Sequence, residues 1–340
     1  MRTSLTEEQE LLKETARRIA APAQIGSPAD LERADRGATW RAIADAGLLG
    51  MRQRGADGAP LASAVELMLV AQQLAAVLAP APFVGAALAA DLLARAKAPP
   101  QLEAAVLEGA QRASVLLDLN LEELSDGEGE GVCIDAQGAD FVLALTRGET
   151  PRLVRVAIPR GAERDGVDLT RPIAVVAAAP EPIGQVLSDA DLDAWRALAL
   201  TLVSADIVGV LRGGLERVVD YAKTRIQYGA PIGSFQAVQH MCAEMLVEVE
   251  AAASVVNYAA WAVDALAPAD ALLAARTAKA FCAPAAQQVS ETVMQAFGGI
   301  GQVWEHEAHL RTRRAMWDRK LFGDEASQLM AIAATREARG

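Results

Sequence analysis

The chain contains 340 residues, of which 52% are apolar and 22% charged, and it carries a formal net charge of −12. Its length indicates about two domains, and its composition is that of a soluble globular protein rather than a disordered or fibrous one. The acidic excess disfavours nucleic-acid binding, and three widely spaced cysteines argue against a disulfide framework and predict a cytoplasmic protein.

Residues 1–110 have the periodicity of a helical domain. Thr6 precedes two glutamates and is suited to cap the first helix. The spacing predicts two apolar helix faces, the first formed by Leu12, Ala16 and Ile19 and the second by Trp40, Ile43, Ala44 and Leu48. We expect the second of these helices to end at Gly50.

The segment Leu67–Ala90 has 24 residues without a charge, which is long enough to span a membrane. Gln72 and Gln73 interrupt this segment, however, and Pro80 and Pro82 break it. We therefore predict two buried helices joined at a proline-containing corner, and no contact with a membrane.

Residues 111–190 are typical of a small β-domain. Short runs rich in β-branched residues are separated by glycine, proline and aspartate, which is the pattern of strands and turns. These runs cover residues 132–134, 141–145, 153–158 and 173–176.

Residues 191–340 return to helical periodicity. The clearest helix extends from Val238 to Val263, where apolar residues recur at alternating steps of four and three. The order helical, strand, helical predicts an α+β chain, mostly α, whose two helical parts pack against each other.

Few residues have the spacing of a self-contained catalytic site. His306 and His309 could share a helix face, but the segment is not H-E-x-x-H, so we assign no metal site. His240, at the beginning of the long helix, is more typical of a hydrogen-bonding residue than of a base. The sequence has no G-x-S-x-G, P-loop or C-x-x-C motif, and the catalytic residues stay unassigned.

Two glycine-containing segments stand out. The first places a cation, an amide and an aromatic ring at a break between helices, through Arg225, Gln227 and Tyr228, although an ordinary helix corner explains the same residues. The second begins at Gln295 and contains consecutive glycines whose N–H groups could approach an anion. A C-capping loop between two helices explains these glycines equally well.

Together the two segments resemble the C-terminal domain of the acyl-CoA dehydrogenase family. They read R-x-Q-Y-G-x-P-I-x-x-F-Q at 225–236 and Q-x-x-G-G-x-G-x-x-x-E at 295–305, and the segments at 6–12 and 40–50 resemble the first helical domain of that family. The resemblance implies an N-terminal helical domain (1–110), a middle β-domain (111–190) and a C-terminal four-helix bundle (191–340). It also implies an acyl-CoA substrate and FAD at a subunit interface.

By this resemblance, eight residues would contact a FAD that is bound mainly by a neighbouring subunit. They are Arg225, Gln227, Tyr228, Phe235 and Gln236 in the first segment and Gln295, Gly298 and Gly299 in the second. A guanidinium and glycine N–H groups suit a diphosphate, and an aromatic ring suits adenine.

The chain departs from the family at the catalytic positions. The family removes the α-proton of an acyl-CoA with a glutamate, and the usual position of this residue falls on Phe322, while an alternative position falls at or near Ala199. Asp324 is better explained as a helix N-cap than as a base. The loops that embrace the flavin in the family are not found either, and the corresponding region is Leu116–Glu122, so we expect a shortened β-domain.

These losses predict a division of labour. The chain resembles the short subunit of heteromeric acyl-CoA dehydrogenases of steroid degradation, in which a full-length partner supplies the flavin loop and the glutamate. We expect a dimer or tetramer, with electron-transfer flavoprotein as a candidate acceptor. Two alternatives stay open: a homomeric FAD enzyme with Asp324 or Glu325 as base, and a non-catalytic acyl-CoA-binding or scaffold protein of the same fold.

A basic patch lies near the C-terminus of this acidic chain. It comprises Arg311, Arg313, Arg314, Arg319 and Lys320. We interpret it as a solvated helix face that pairs with local acids, with contact to a partner subunit or to anionic ligand groups as the alternative.

Overall fold

The computed structural model describes residues 4–56, 58–146, 148, 150–177 and 179–339. In the described residues before the sheet, the α-helices are α1 (Glu7–Ala20), α2 (Pro28–Arg33), α3 (Arg36–Asp45), α4 (Ala64–Ala76), α5 (Phe83–Arg95) and α6 (Pro100–Leu107). Thr6 caps α1, because its hydroxyl accepts a hydrogen bond from the Gln9 N–H and the Gln9 side chain accepts one from the Thr6 N–H. The prediction for α3 was wrong at its end: the helix stops at Asp45, and Gly47 then takes a left-handed φ of 72°.

The uncharged segment Leu67–Ala90 forms most of α4 and α5, with both prolines in the connection between them. Almost every residue of α5 is buried in the protein core. Two other helices, at Asp189–Thr224 and Gln236–Ala265, have the length and apolarity of membrane spans, but 94% of the most apolar window of the first is buried in the protein. A core helix of a folded domain passes the same test.

Residues 113–186 form a seven-stranded sheet of order β5-β6-β2-β1-β3-β4-β7. Its strands are β1 (Ala113–Leu117), β2 (Gly131–Cys133), β3 (Phe141–Leu145), β4 (Arg152–Ala157), β5 (Glu163–Arg164), β6 (Ile173–Val176) and β7 (Glu181–Val186). Only β1 and β3 pair in parallel, and the remaining described pairs are antiparallel. The four predicted strands correspond to β2, β3, β4 and β6, while β1, β5 and β7 were not predicted.

The α-helices described after the sheet are α7 (Asp189–Thr224), α8 (Gln236–Ala265), α9 (Pro268–Phe297), α10 (Ala308–Lys320) and α11 (Glu325–Arg339). The stripe predicted for the long helix is confirmed in α8, where Met245, Val249, Ala252, Val256 and Ala259 are buried. Helices α7 to α10 form the C-terminal bundle. The predicted class, a mostly helical α+β chain with a small sheet, is confirmed.

Small residues bring the N-terminal helices and the bundle into direct contact. A Cβ added at Gly213 would collide with the backbone carbonyl of Ala76, and one at Gly209 would collide with that of Gln72. Helices α4 and α7 therefore cross at backbone distance. Next to this crossing, Arg311 of α10 donates a hydrogen bond to the carbonyl oxygen of Ala76 at 2.9 Å, so three helices meet at one point.

Candidate functional site

The Arg225 corner, residues 225–236, connects α7 to α8. Helix α7 ends at Thr224 because Arg225 is extended (ψ 122°), and two short strands then form a hairpin, Ile226–Gln227 and Ala230–Pro231. The two turn residues of this hairpin, Tyr228 and Gly229, have φ values of 52° and 79°. A two-residue turn with both φ values positive is a type I′ turn, for which Asn-Gly is favoured. Tyrosine in the first position is strained by about 1–2 kcal/mol.

The corner presents its polar and aromatic side chains to solvent. Arg225, Gln227 and Gln236 are exposed, and the Tyr228 side chain is 95% exposed. The rings of Tyr228 and Phe235 meet edge to face at 6.1 Å. The structure thus brings together the five residues predicted in this segment, on an open surface.

The diglycine loop, residues 298–302, follows the last residue of α9. Gly298 has φ 63° and ψ −140°, a combination that is almost restricted to glycine. A Cβ added at Gly298 or Gly299 would meet no atom within 4 Å, so the space beside these glycines is open. Gln295, one turn earlier on α9, is exposed as well.

An aromatic contact joins the two segments. Tyr221 lies one turn before Arg225, whose N–H donates to the Tyr221 carbonyl oxygen at 2.8 Å. The Tyr221 ring packs on the ring of Phe297, which directly precedes Gly298, with 5.0 Å between centroids. The Arg225 corner and the diglycine loop therefore lie at the same end of the helical bundle. Together they offer a cation, amides, exposed rings and glycine backbone.

The position of the expected catalytic glutamate is buried. Phe322 lies in the turn 321–324, which we call the closed turn, between α10 and α11, and its side chain is 4% exposed. Its ring meets the ring of Trp195 edge to face at 5.8 Å. Its N–H donates to the carbonyl oxygen of Leu121 at 2.6 Å. The segment 116–122, where the sequence predicted the missing flavin loop, is thus bonded directly to the turn where it predicted the missing catalytic glutamate.

Further bonds hold the closed turn. Gln328 donates to the Phe322 carbonyl oxygen at 2.6 Å, and Ser327 donates to Glu122 at 2.6 Å. The ammonium of Lys279 is fully buried, and its three N–H groups are shared among four carbonyl oxygens at 2.8 to 3.1 Å, those of Asp318, Arg319, Leu321 and Gly323. Burial lowers the pKa of Lys279 to about 7, against the attraction of Asp318. These bonds satisfy the carbonyls at the end of α10.

Asp324 and Glu325 are engaged in ion pairs. Asp324 accepts hydrogen bonds from the N–H groups of Ala326 and Ser327, which makes it the N-cap of α11, and it pairs with Lys320. Glu325 pairs with Arg319. The hydrogen bond from Lys320 lowers the pKa of Asp324, and that from Arg319 lowers the pKa of Glu325. Both carboxylates are therefore poor proton acceptors. Ala199, the other family position, is fully buried in α7.

The interpretation of the basic patch as a solvated face was wrong for two of its members. Arg311 and Arg314 are 3% and 2% exposed, because they point into the core rather than away from it. Arg311 pairs with Glu307 of its own helix, whereas Arg314 makes two hydrogen bonds to Asp206 of α7, at 2.7 and 2.8 Å. The pairs of Arg319 with Glu325 and of Lys320 with Asp324 fit the predicted pairing with local acids.

Arg314 belongs to a buried ionic junction of Arg171, Asp206, Arg314 and Asp318. Arg171 comes from the β-domain and donates to Asp318 at 2.5 Å. Burial raises the pKa of Asp206, but Arg171 and Arg314 outweigh it and lower the net value. Burial and the neighbouring Asp206 raise the pKa of Asp318 well above its usual range. The two pKa values therefore shift in opposite directions, and Asp318 is the carboxyl that binds a proton more readily.

Sequence reasoning missed the residues that close this region. Lys279, Asp206 and Asp318 lie in otherwise apolar or helical runs, and only their charge within such runs would have marked them. Trp195 has no distinguishing neighbour in sequence, so its contact with Phe322 depends on the fold.

Two family models match the chain. Residues 199–336 match the acyl-CoA dehydrogenase C-terminal domain, and residues 6–104 match the acyl-CoA dehydrogenase N-terminal domain. The matched ranges leave out the strand-forming region between them.

Curated relatives cover nearly the whole chain. Acyl-CoA dehydrogenase IpdE2 of Mycobacterium tuberculosis is 31% identical over 319 residues, covering 91% of each protein. Acyl-CoA dehydrogenase FadE34 of the same organism is 30% identical over 360 residues, which cover 99% of this chain but 49% of FadE34. FadE34 is therefore about twice as long as this chain.

Solved structures share the fold. The ChsE4-ChsE5 complex of Mycobacterium tuberculosis contains a chain with a TM-score of 0.80 and 24% identity, and 98% of each chain is covered. A structure of PigA with FAD and proline has a TM-score of 0.79 and 20% identity, and each chain is covered completely. FAD is the usual cofactor of proteins with this fold.

Proposed function

The chain belongs to the acyl-CoA dehydrogenase family, whose members are oxidoreductases that act on acyl-CoA, and we propose that it is the non-catalytic subunit of a heteromeric desaturase. In this proposal a partner of the same family holds most of the FAD and supplies the carboxylate that removes the α-proton. This chain contributes the Arg225 corner and the diglycine loop to the nucleotide half of that FAD.

The closed turn is the observation that carries the proposal. A desaturase needs a base near the α-carbon, and Phe322 at the expected position can accept no proton. The hydrogen bond from Phe322 to Leu121 and the contact of Phe322 with Trp195 fill the space between the two segments with the chain's own atoms. Reaction at this place would require both contacts to separate, which argues for chemistry elsewhere in the assembly.

The Arg225 corner supports the second half of the proposal. Bound FAD accepts the hydride that leaves the β-carbon in this family. The residues of this chain would bind and orient its nucleotide: Arg225 would pair with the diphosphate, and the glycines would let phosphate oxygens approach the backbone. The strained turn holds the Tyr228 ring almost fully in solvent, which favours a role in contact with another molecule.

Relatives favour a partner of the same family. FadE34 contains, beside the half that matches this chain, a further segment of about the same length. The structural neighbour ChsE4-ChsE5 is a complex of two named components. A second neighbour is described as the Tcur3481-Tcur3483 steroid ACAD, which makes a steroid-derived acyl-CoA our proposed substrate class.

The two alternative functions have weaker support. A homomeric enzyme with Asp324 or Glu325 as base requires a carboxylate that leaves its ion pair, and the lowered pKa of both groups opposes this. A scaffold that has lost flavin explains the closed turn but gives no reason for the strained, exposed Tyr228.

Co-expression with each adjacent acyl-CoA dehydrogenase gene tests the proposal. We expect the chain alone to purify without stoichiometric flavin and without desaturase activity, and a complex with one partner to contain FAD and oxidise a steroid-derived acyl-CoA. Native mass spectrometry and flavin absorbance measure composition and loading. Full flavin content and activity of the lone chain would refute the proposal, and a colourless complex would favour the scaffold.

A further inference from the structure

A residue that follows the diglycine loop contacts Phe297, the residue that directly precedes the loop. The loop leaves α9 after Phe297, and nine residues later the imidazole of His306 packs on the Phe297 ring, with 4.4 Å between centroids. Phe297 in turn contacts Tyr221 at the end of α7. The Phe297 ring therefore lies between the Tyr221 ring, in the last turn of α7, and the His306 ring, in the segment between the loop and α10.

A hydrogen bond to the His306 ring determines which of its nitrogens carries no proton. Its Nδ1 accepts a hydrogen bond from the N–H of Ala308, the first residue of α10, at 3.1 Å. Nδ1 is therefore unprotonated, and the ring proton of the neutral form is on Nε2. A proton on Nδ1 would face the Ala308 N–H and the positive end of the α10 dipole, so protonation breaks this bond.

The charged groups around His306 come from two helices. Glu307, Arg311 and His309 belong to α10 or its beginning, and Arg217 belongs to α7. Glu307 is itself held by Arg217 at 2.6 Å and by Arg311 at 2.7 Å. Burial lowers the pKa of His306, Glu307 raises it, and the other three groups lower it, with a net lowering. The neutral ring is thus the native form at neutral pH.

We propose that neutral His306 is a positioning residue that docks the diglycine loop against the end of α7, so that loop and Arg225 corner form one nucleotide-binding unit. The nucleotide part of this inference rests on the proposed function. His306 touches no ligand group itself; it acts through Phe297 and through the start of α10. Its contribution is complete above pH 6.5, the ordinary imidazole pKa, and declines as the pH falls toward the lowered value.

Three variants separate the effects of the His306 ring, of its hydrogen-bond acceptor and of its positive charge. His306→Asn keeps an acceptor near the position of Nδ1 but takes up no proton, His306→Leu removes the acceptor, and His240→Asn removes an exposed histidine from α8 as the matched control. Hydrogen exchange of residues 298–302 in the full chain, at about pH 5 and about pH 8, measures docking of the loop without any ligand.

The second readout is the rate of FAD release from the complex with its partner at the same two pH values. For the unmutated protein and the control we expect exchange, corrected for its intrinsic pH dependence, and FAD release to be about tenfold faster at the lower pH. His306→Leu should show the fast values at both pH values, and His306→Asn should remove the pH dependence.

The outcomes are distinguishable. Equal loop protection in all four proteins at both pH values overturns the positioning role of His306. In another outcome, hydrogen exchange of the loop changes in the His306 variants while the rate of FAD release stays the same. This result supports the positioning role and refutes the proposed contact of the loop with the nucleotide.

Discussion

The two ends of α7 have opposite chemistry. At its beginning, Trp195 packs on the closed turn, and the backbone groups nearby are bonded to the chain itself. At its end, about 45 Å from Trp195 along the helix, the Arg225 corner leaves a guanidinium, two amides and an aromatic ring exposed to solvent. The difference is between a region whose polar groups are bonded within the chain and one whose polar groups are open to solvent. Under the proposed function, the first region has no room for the reaction and the second contacts the FAD of the partner.

The largest expected effect concerns the buried ionic junction beside the closed turn. Replacing Arg314 by Met leaves Asp206 without its main partner, and we expect a loss of about 3–5 kcal/mol in the free energy of unfolding. Denaturant unfolding of the lone chain measures it. Arg313→Met, at the half-exposed position before it, is the control, with an expected change within about 0.5 kcal/mol. Similar losses in both variants would contradict a specific role of the junction.

The opposite pKa shifts of Asp206 and Asp318 predict a difference between these two aspartates. The raised pKa of Asp318 means that its contribution to stability is present below pH 3.8 and is lost as the pH rises toward the raised value. In the Asp318→Asn variant, the new amide can donate to Asp206 and accept from Arg171. We therefore expect this variant to be more stable than the unmutated chain at about pH 8, with a smaller gain at about pH 5.

Asp206→Asn is the counterpart of this variant. It removes the charge that Arg314 and Arg171 face, and we expect it to cost about 3 kcal/mol at both pH values. Thermal or denaturant unfolding of the two variants side by side provides the comparison. If Asp318→Asn is the more damaging substitution, Asp206 is instead the carboxyl that binds a proton more readily.

At the Arg225 corner, we expect a substitution to change the retention of FAD in the complex rather than the free energy of unfolding of the lone chain. Arg225→Gln removes the exposed guanidinium, and we expect the complex with the partner to release FAD about tenfold faster, which corresponds to about 1.4 kcal/mol. The unfolding of the lone chain should not change. Arg18→Gln, an exposed position on α1, is the matched control, and equal FAD release in both variants would remove Arg225 from the nucleotide contact.

The smallest expected effect distinguishes strain from function at the hairpin. Tyr228→Asn gives the turn the favoured Asn-Gly sequence, so we expect the lone chain to gain about 0.5–1 kcal/mol of stability. FAD retention in the complex should fall, because the exposed ring is lost. Tyr258→Asn, on the exposed side of the helical α8, should bring no such gain. A less stable Tyr228→Asn chain would contradict the assignment of strain.

The helical and strand-forming regions were predictable because they depend on local pattern. The α8 stripe is periodic over seven turns, and Thr6 has its cap partner three residues away. β1 was missed, although it is the central strand beside β3, because only one of its five residues, Val115, is β-branched. The end of α3 was placed at Gly50, but the glycine that takes the left-handed conformation after the helix is Gly47, three positions earlier. Both are glycines, and the sequence does not show which of them ends the helix.

The candidate site was predictable only in part. Residue motifs located Arg225 and Gly298, but not the Tyr221–Phe297 contact that brings their segments together, since that contact joins helices 76 residues apart in sequence. The substitution of the catalytic position by Phe322 was visible in the sequence. The closing of the space around it was not, because it depends on Leu121, Trp195 and Lys279 from three distant elements.

The glycine crossing of α4 and α7 has a consequence for engineering. Chimeras that exchange residues 1–110 with those of a homologue would join two surfaces whose main chains touch, at Gln72 and Ala76 on one side and at Gly209 and Gly213 on the other. A Cβ added at Gly209 would also come within 2.7 Å of the Ala75 Cβ, so a donor segment must keep a small residue at position 75. Recombination points for this protein therefore belong within its loops around the sheet, and the two helical parts should be transferred together.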